Sequence, residues 1–405
     1  MTYHPTPINP APSRRRIAKL PASFRSESPM PQSLKKTSIA VGISTAMLIP
    51  VAAFAQENAV ASETEMKPVT VVERVIDHNP YSEPDAPYKA RISGDARHTR
   101  PLAETPSNIS VLTKTQIDDS GYTDLRDILD SQPGITLGTG ENGNAFGDRY
   151  IIRGQEARSD VFVDGLRDPG MAIRESFAVE QVEISKGPNS SFAGRGTAGG
   201  AINSITKQAT TEYDFTKVSA GIGTDSHVRM TLDANHVVTD TVALRANLLF
   251  GYEEVPDRAP ADRERKGVAL SGLFKPTDKL DVILDYYGFR GKDNPDMGGW
   301  LTGTGSDRRP AKNVPVYAQK EDFLSSDVDT LTARINYRFT PDVRLTNATR
   351  IGQSDNGYVT TGARGATTGA RNPGGAYDTA TLSTHNGWQE VEYFANQTNL
   401  FVNQN

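Results

Sequence analysis

The stretch that decides the fold runs from Asp148 to Lys207. It contains Arg149-Tyr-Ile-Ile-Arg153-Gly154, then Val161-Phe-Val-Asp164-Gly165, then Val182-Glu183-Ile-Ser-Lys186-Gly187-Pro188. It closes with Gly194-Arg-Gly-Thr-Ala-Gly199-Gly200-Ala-Ile202-Asn203-Ser-Ile-Thr206-Lys207. Tyr150–Ile152, Val161–Val163, Val182–Ile184 and Ala201–Ile202 read as short strands between turns. Gly154, Gly165, Gly187, Gly199 and Gly200 fall where φ is positive or where two backbones approach closely. A phosphate-binding loop is the competing reading of the Gly194 region, but no Gly-Lys-Ser/Thr opens a helix there.

Working upstream, Asn108–Leu112 and Ile135–Leu137 add strands. Thr123 caps a short helix over Asp124–Asp130, whose Leu125, Ile128 and Leu129 share one face, and Pro133-Gly134 ends it. Residues 95–207 therefore read as a small α+β domain, a sheet with one or two helices. Downstream, from Tyr213, the period changes to two. Val242, Leu244, Ala246, Leu248, Phe250 and Tyr252 alternate with Ala243, Arg245, Asn247, Leu249 and Gly251. Leu331, Ala333, Ile335, Tyr337 and Phe339 alternate with Thr332, Arg334, Asn336 and Arg338, and Val228, Met230, Leu232 and Ala234 with Arg229, Thr231 and Asp233. Segments of about ten residues, apolar outward and polar inward, suit a transmembrane β-barrel.

The connections favour a barrel over a soluble sandwich. Thr239-Asp240, Pro276-Thr-Asp278 and Thr340-Pro341-Asp342 are short turns, while Glu253–Lys266, Arg290–Asp327 and Ser354–Trp388 are long. Apart from a short first loop at Thr224-Asp225-Ser226, short and long connections alternate, as in outer-membrane barrels. Eight strands are expected, at 213–223, 226–238, 241–253, 266–275, 279–290, 327–339, 342–354 and 389–403.

Composition bounds the alternatives. A net charge of -5 leaves no nucleic-acid footprint. No cysteine is present, which excludes disulfides, thiolate metal sites and cysteine nucleophiles. The six histidines are scattered without metal-ligand spacing, so no metal site is expected. Only 36% of residues are hydrophobic, and no long uncharged apolar run follows position 60, which argues against a helical membrane protein but not against a barrel. Acidic neighbours such as Asp118-Asp119 and Glu253-Glu254 are adjacent rather than convergent. No catalytic constellation, and so no enzyme, is expected.

At the N-terminus, Lys35-Lys36, the apolar run Ile39–Val51 and Ala53-Phe54-Ala55 read as a secretory signal peptide over residues 1–55, with Met30 as an alternative start. Residues 56–94 read as a polar, proline-bearing linker. Within it Val69-Thr70-Val71-Val72-Glu73 is a β-branched run able to add as a strand to a partner's sheet edge, or simply a linker strand.

In order and spacing, the motifs from Arg149 to Lys207 resemble the plug domain of TonB-dependent outer-membrane receptors, with a lean toward receptors for ferric catecholate siderophores. The resemblance implies an α+β plug followed by an incomplete antiparallel transmembrane β-barrel, about 8 of about 22 strands, with residues 208–405 as the first part of the barrel. Eight strands closed on themselves leave no room for a plug, and an open sheet in lipid leaves unpaired backbone groups. The expected reading is thus the N-terminal part of a longer receptor. The resemblance further implies that Val69–Glu73 is a TonB box, although Glu73-Arg74 replaces the small residues often found there. It implies that Arg149, Arg153, Glu183 and Lys186 help to seat the plug in the barrel, with ordinary surface charge as the alternative.

Two irregular segments, Gly138 to Asp148 and Asp168 to Ser176, would be loops under the ligand. Their Asn144, Phe146, Met171 and Arg174 are candidate siderophore contacts, joined by Trp300, Arg308 and Arg309 from the third external loop; an aromatic and an arginine suit an anionic aromatic chelate. The implied function is TonB-energised import of a Fe(III)-siderophore, held as ligand rather than cofactor, by a monomer in the outer membrane of a Gram-negative bacterium. Partners would be TonB and its inner-membrane energising complex. Another cargo (haem, cobalamin, another metal chelate, a glycan), a non-functional fragment, a passive porin or adhesin, and an outer-membrane enzyme are the rival readings.

Overall fold

The computed structural model describes residues 79–83, 86–138, 148–298, 301–302, 304–310, 312, 314–367 and 379–402. Two layers form from them. The first is the α+β domain expected from the glycine-punctuated stretch. Its main sheet has the order β3 (Ile109–Thr113), β9 (Val179–Lys186), β10 (Gly200–Thr206), β7 (Val161–Val163), β8 (Leu166–Arg167). A second, three-stranded sheet joins β4 (Ile135–Leu137), β5 (Tyr150–Ile152) and β6 (Gln155–Glu156). A hairpin of β1 (Ser82–Glu83) and β2 (Ala86–Ala90) precedes both. The core is built on Tyr150, Ile152, Ile184 and Ile202, all fully buried.

Two helices pack on this core. α1 (Lys114–Ser120) was not expected from apolar periodicity. It carries its own signals, however: Thr113 caps it through Gln116 N, and Gly121 ends it at φ 73°. α2 (Leu125–Asp130) buries Leu125, Ile128 and Leu129 as expected, but its cap is Asp124, whose carboxylate accepts from Arg126 N, rather than Thr123. Glycine is required where the sheets meet. A Cβ on Gly199 would collide with the Ile152 carbonyl oxygen, and one on Gly200 with that of Ser185.

The second layer is one antiparallel eight-stranded sheet in simple up-and-down order. Its strands are β11 (Phe215–Ile222), β12 (Val228–Thr239), β13 (Val242–Glu254), β14 (Asp262–Thr277), β15 (Leu280–Asn294), β18 (Phe323–Thr340), β19 (Val343–Thr367) and β20 (Thr379–Val402). Between β15 and β18 lies a two-stranded hairpin, β16 (Leu301–Thr302) and β17 (Arg309–Pro310). The sheet is open, with β11 and β20 at its edges.

The period-2 reading holds across it. Leu244, Leu248 and Phe250 of β13 and Leu331, Ile335 and Phe339 of β18 are exposed on the outer face, while Arg245, Asn247, Thr332 and Arg334 are buried on the inner one. Strand ends differ from expectation. β19 and β20 run to 25 and 24 residues and occupy much of the segment expected to be a loop after Ser354. Residues 354–367 and 379–388 carry no apolar–polar alternation because they extend past the apolar band, yet backbone pairing continues through them.

Candidate functional site

The inner face of the sheet meets the α+β domain along a seam of buried ion pairs with a small apolar patch. Asp164 sits in the tight turn between β7 and β8 at φ 50°. Its carboxylate accepts from Thr206 N and Oγ1, both at 2.8 Å, and from Arg334 Nη2 of β18 at 2.5 Å. Arg350 of β19 lies 3.7 Å from the same oxygen and donates to the Val163 carbonyl at 3.3 Å. Arg334 is paired in turn with Asp285 of β15.

A second cluster lies at Glu175, which accepts from both terminal nitrogens of Arg229 of β12 at 3.3 and 2.9 Å. A third holds Lys207, where the chain passes from plug to sheet. Its ammonium donates to the Phe177 carbonyl at 2.8 Å and lies 2.9 Å from Asp233 of β12. Burial pushes the Lys207 pKa down, and Asp233 opposes that. Arg245 of β13 completes this group, bidentate to Asp233 and 3.6 Å from Glu180. Each partly desolvated pair is costly to break from one side, because the survivor stays buried without a partner.

The loop from Asp168 to Ser176 is docked on the wall rather than open above it. Met171 N donates to Gln389 Oε1 at 3.2 Å and Ile173 N to Ser326 Oγ at 3.0 Å. Ala172, Ile173 and Phe177 pack with Leu249, Phe289 and Val328. Arg174, 9% exposed, is consumed inside the loop by Asp168 at 2.8 Å and by the carbonyls of Gly170 and Ala172. Arg174 therefore braces the loop, and Met171 is tied to the wall, where the sequence suggested ligand contacts.

The four expected seating residues are also placed elsewhere. Arg149 pairs with Glu156 at 2.6 Å within the small sheet. Arg153 turns out of β5 at φ 50° and lies beside Gly187. Neither arginine lies within β5, which is only three residues long. Glu183, 4% exposed, accepts from Ser93 Oγ at 2.7 Å, Gly94 N at 2.6 Å and Gln181 Nε2 at 2.8 Å, all inside the plug. Burial pushes the Glu183 carboxyl up, with those hydrogen bonds opposing. Burial lowers the Lys186 ammonium, helped by Arg153 nearby.

Among the described residues, then, the seam is carried by Asp164, Glu175, Glu180 and Lys207 on the plug side. Arg229, Arg245, Arg265, Arg334 and Arg350 answer the carboxylates from the wall, and Asp233 answers Lys207. One signal was available for Arg229, Arg245 and Arg334, each of which sits on the polar face of its strand's alternation. Arg308 and Arg309 are exposed at the β16–β17 hairpin. Asn144, Phe146, Trp300 and the Val69–Glu73 run lie outside the described residues.

An α+β domain clasped by buried ion pairs to the polar face of an up-and-down sheet, whose other face is apolar, is a plug seated against part of a transmembrane β-barrel. Comparison with known proteins gives the family. Residues 101–201 match the model for the TonB-dependent Receptor Plug Domain. The chain is 39% identical over 277 residues to "Probable TonB-dependent receptor BfrD" of Bordetella pertussis, covering 67% of this chain and 34% of that protein. The crystal structure of the siderophore receptor PiuA from Acinetobacter baumannii superposes with a TM-score of 0.70 at 31% identity, covering 77% of this chain and 45% of that one. The closed form of the ferric-catecholate import receptor Fiu from E. coli K12 gives a TM-score of 0.68 at 30% identity, covering 78% and 46%. The chain belongs to the TonB-dependent receptors, and it spans less than half the length of these relatives.

Proposed function

We propose that this chain serves uptake of a ferric siderophore of the catecholate type across the outer membrane, energised through TonB. The observation that carries the reading is a plug clasped to a barrel wall in a chain similar to PiuA and Fiu, whose own names record siderophore and ferric-catecholate reception. The seam between plug and wall encloses a cavity of about 100 Å3 bordered by Val163, Val182, Ala269, Val328 and Arg334. Sites for small organic ligands run to roughly 300–1,000 Å3, so this cavity does not itself hold a whole chelate, and on this reading the plug moves to let one pass. Strand addition of Val69–Glu73 to TonB supplies the pull on this reading. Asn144, Phe146, Met171, Trp300, Arg308 and Arg309 remain the proposed ligand contacts, while the Arg174 guanidinium is spent on Asp168 and on its own loop's carbonyls.

The test is uptake of radiolabelled iron as a ferric catecholate by iron-starved cells with and without this gene. Uptake that depends on both the gene and TonB is expected; uptake indifferent to the gene, or a response to haem or cobalamin alone, overturns the assignment. Replacing Arg308 and Arg309 together by alanine is expected to weaken chelate binding by about tenfold or more, the scale of charge-assisted hydrogen bonds.

A further inference from the structure

Where the start of α2 rests on the wall, four carboxylates meet two guanidinium groups. Glu175 is held by Arg229. Arg265 of β14 is bidentate to Asp293 of β15, and lies 3.8 Å from Asp124 Oδ2 and 3.9 Å from Glu175 Oε1. Asp148 forms no ion pair among the described residues; its Oδ2 accepts from the Tyr150 hydroxyl at 2.7 Å. Asp148 and Glu175 are each 4% exposed, and the Asp124 side chain is 17% exposed.

The neighbouring charges do not restore the balance. Asp168 and Arg174 of the docked loop pair with each other, and on α2 the exposed Arg126, whose charge is felt by Asp148, is matched in number by Asp127. Tyr287 of β15 and Tyr150 are neutral, with phenol pKa values raised by burial for the plug's Tyr150. His227, Glu253 and Arg263 stand at the outer rim. Asp124, Asp148, Glu175 and Asp293 against Arg229 and Arg265 leave an excess of two negative charges (four minus two). Holding that excess in a low-dielectric seam is unfavourable, and neutralising one carboxyl is the least costly relief.

We propose that the clasp formed by Asp124, Asp148 and Glu175 against Arg229 and Arg265 takes up a proton from solvent when it closes, so that plug docking here is pH-dependent. The individual groups lean the same way. Burial, then the charge of Asp148, pushes Asp124 up against the opposing pull of Arg265. Burial pushes Asp148 up against Arg174. In the open clasp both carboxyls are solvated and titrate in the ordinary range, so the closed clasp holds more protons above that range. Closure is then strongest at mildly acidic pH and weakens as pH rises, by about tenfold per pH unit for one proton. The inference does not depend on which cargo the receptor takes.

Two hydrogen bonds from the plug backbone to wall side chains, just before Glu175, report the clasp: Met171 N to Gln389 Oε1 at 3.2 Å and Ile173 N to Ser326 Oγ at 3.0 Å. Hydrogen exchange at Met171 and Ile173 in the full chain, corrected for intrinsic exchange, follows opening from about pH 5 to about pH 8. In the wild type the opening equilibrium is expected to grow by up to about tenfold per pH unit over part of that range. Asp124→Asn keeps the helix cap, and Asp148→Asn keeps the acceptor for Tyr150. Each is expected to flatten the slope and to lower opening at neutral pH. Exchange at Ile184 in the plug core checks folding of the variants, and the wild-type slope stands as a test without them. A flat or inverted wild-type slope overturns the proposal, as do variants that keep the wild-type slope. Protection that magnesium alone restores at neutral pH, without a pH slope, assigns the excess charge to a cation and overturns it as well.

Discussion

The plug and the wall solve opposite burial problems with similar alternating strands. In the plug, Ile184 of β9 and Ile202 of β10 turn apolar side chains into a dry core of their own domain. In the wall, Leu248 and Leu331 turn outward, and the residues beside them, Asn247 and Thr332, are the buried ones. One layer is thus held by the hydrophobic effect and the other by pairing of its backbone and by whatever covers each face. The seam between them is held by charge, at Asp164–Arg334, Glu175–Arg229 and Lys207–Asp233. Apolar packing is strong and indifferent to partner. Buried ion pairs are selective, and each is costly to break from one side.

Four substitutions test that contrast. Asp164→Ala leaves Arg334 and Arg350 in the seam without their plug carboxylate and is expected to weaken docking by about 3–5 kcal/mol, the penalty for stranding a buried partner. Exchange of the Ile173 amide, which donates to Ser326 Oγ of the wall and shares no partner with Asp164, reads that loss. Ile202→Ala, in the fully buried core, is expected to destabilise the plug by about 2–5 kcal/mol in denaturant titration while leaving the wall's strand pairing intact. Leu248→Arg on the outer face is expected to cost about 2–4 kcal/mol in lipid and far less in aqueous solution. An equal cost in both would mean that this face does not meet lipid. Arg290→Ala is expected to change stability by less than about 1 kcal/mol. It removes a half-exposed pair with Asp329 on the outer face, and only a desolvated pair would cost more.

Much of this was legible before the fold was known. Period-2 alternation in 242–252 and 331–339 placed the right side chains inside and outside, because a pleated strand sends successive residues to opposite faces. Gly199 and Gly200 marked the place where three backbones crowd. The ends of β19 and β20 were not legible, since pairing between polar strands leaves no trace in hydropathy. α1 was missed for a related reason: it buries Ile117 alone, too little for a helical stripe, although Thr113 and Gly121 announced its ends.

The candidate site was the least legible part. Glu183 and Arg174 are charged residues beside strands and loops, which is all a sequence records. Whether such a group faces a ligand, a wall or its own backbone depends on which of two faces the domain turns to its neighbour. Local order along the chain was therefore enough for the plug motifs, the turn glycines and the inward and outward faces of the wall, because each rests on backbone geometry within a few residues. The seating of plug on wall joins residues as distant as Asp164 and Arg334, and Glu175 and Arg229. Only the folded chain could choose Asp164 and Glu175 over Arg149 and Lys186, because the worth of a charge is set by what surrounds it once water has been removed.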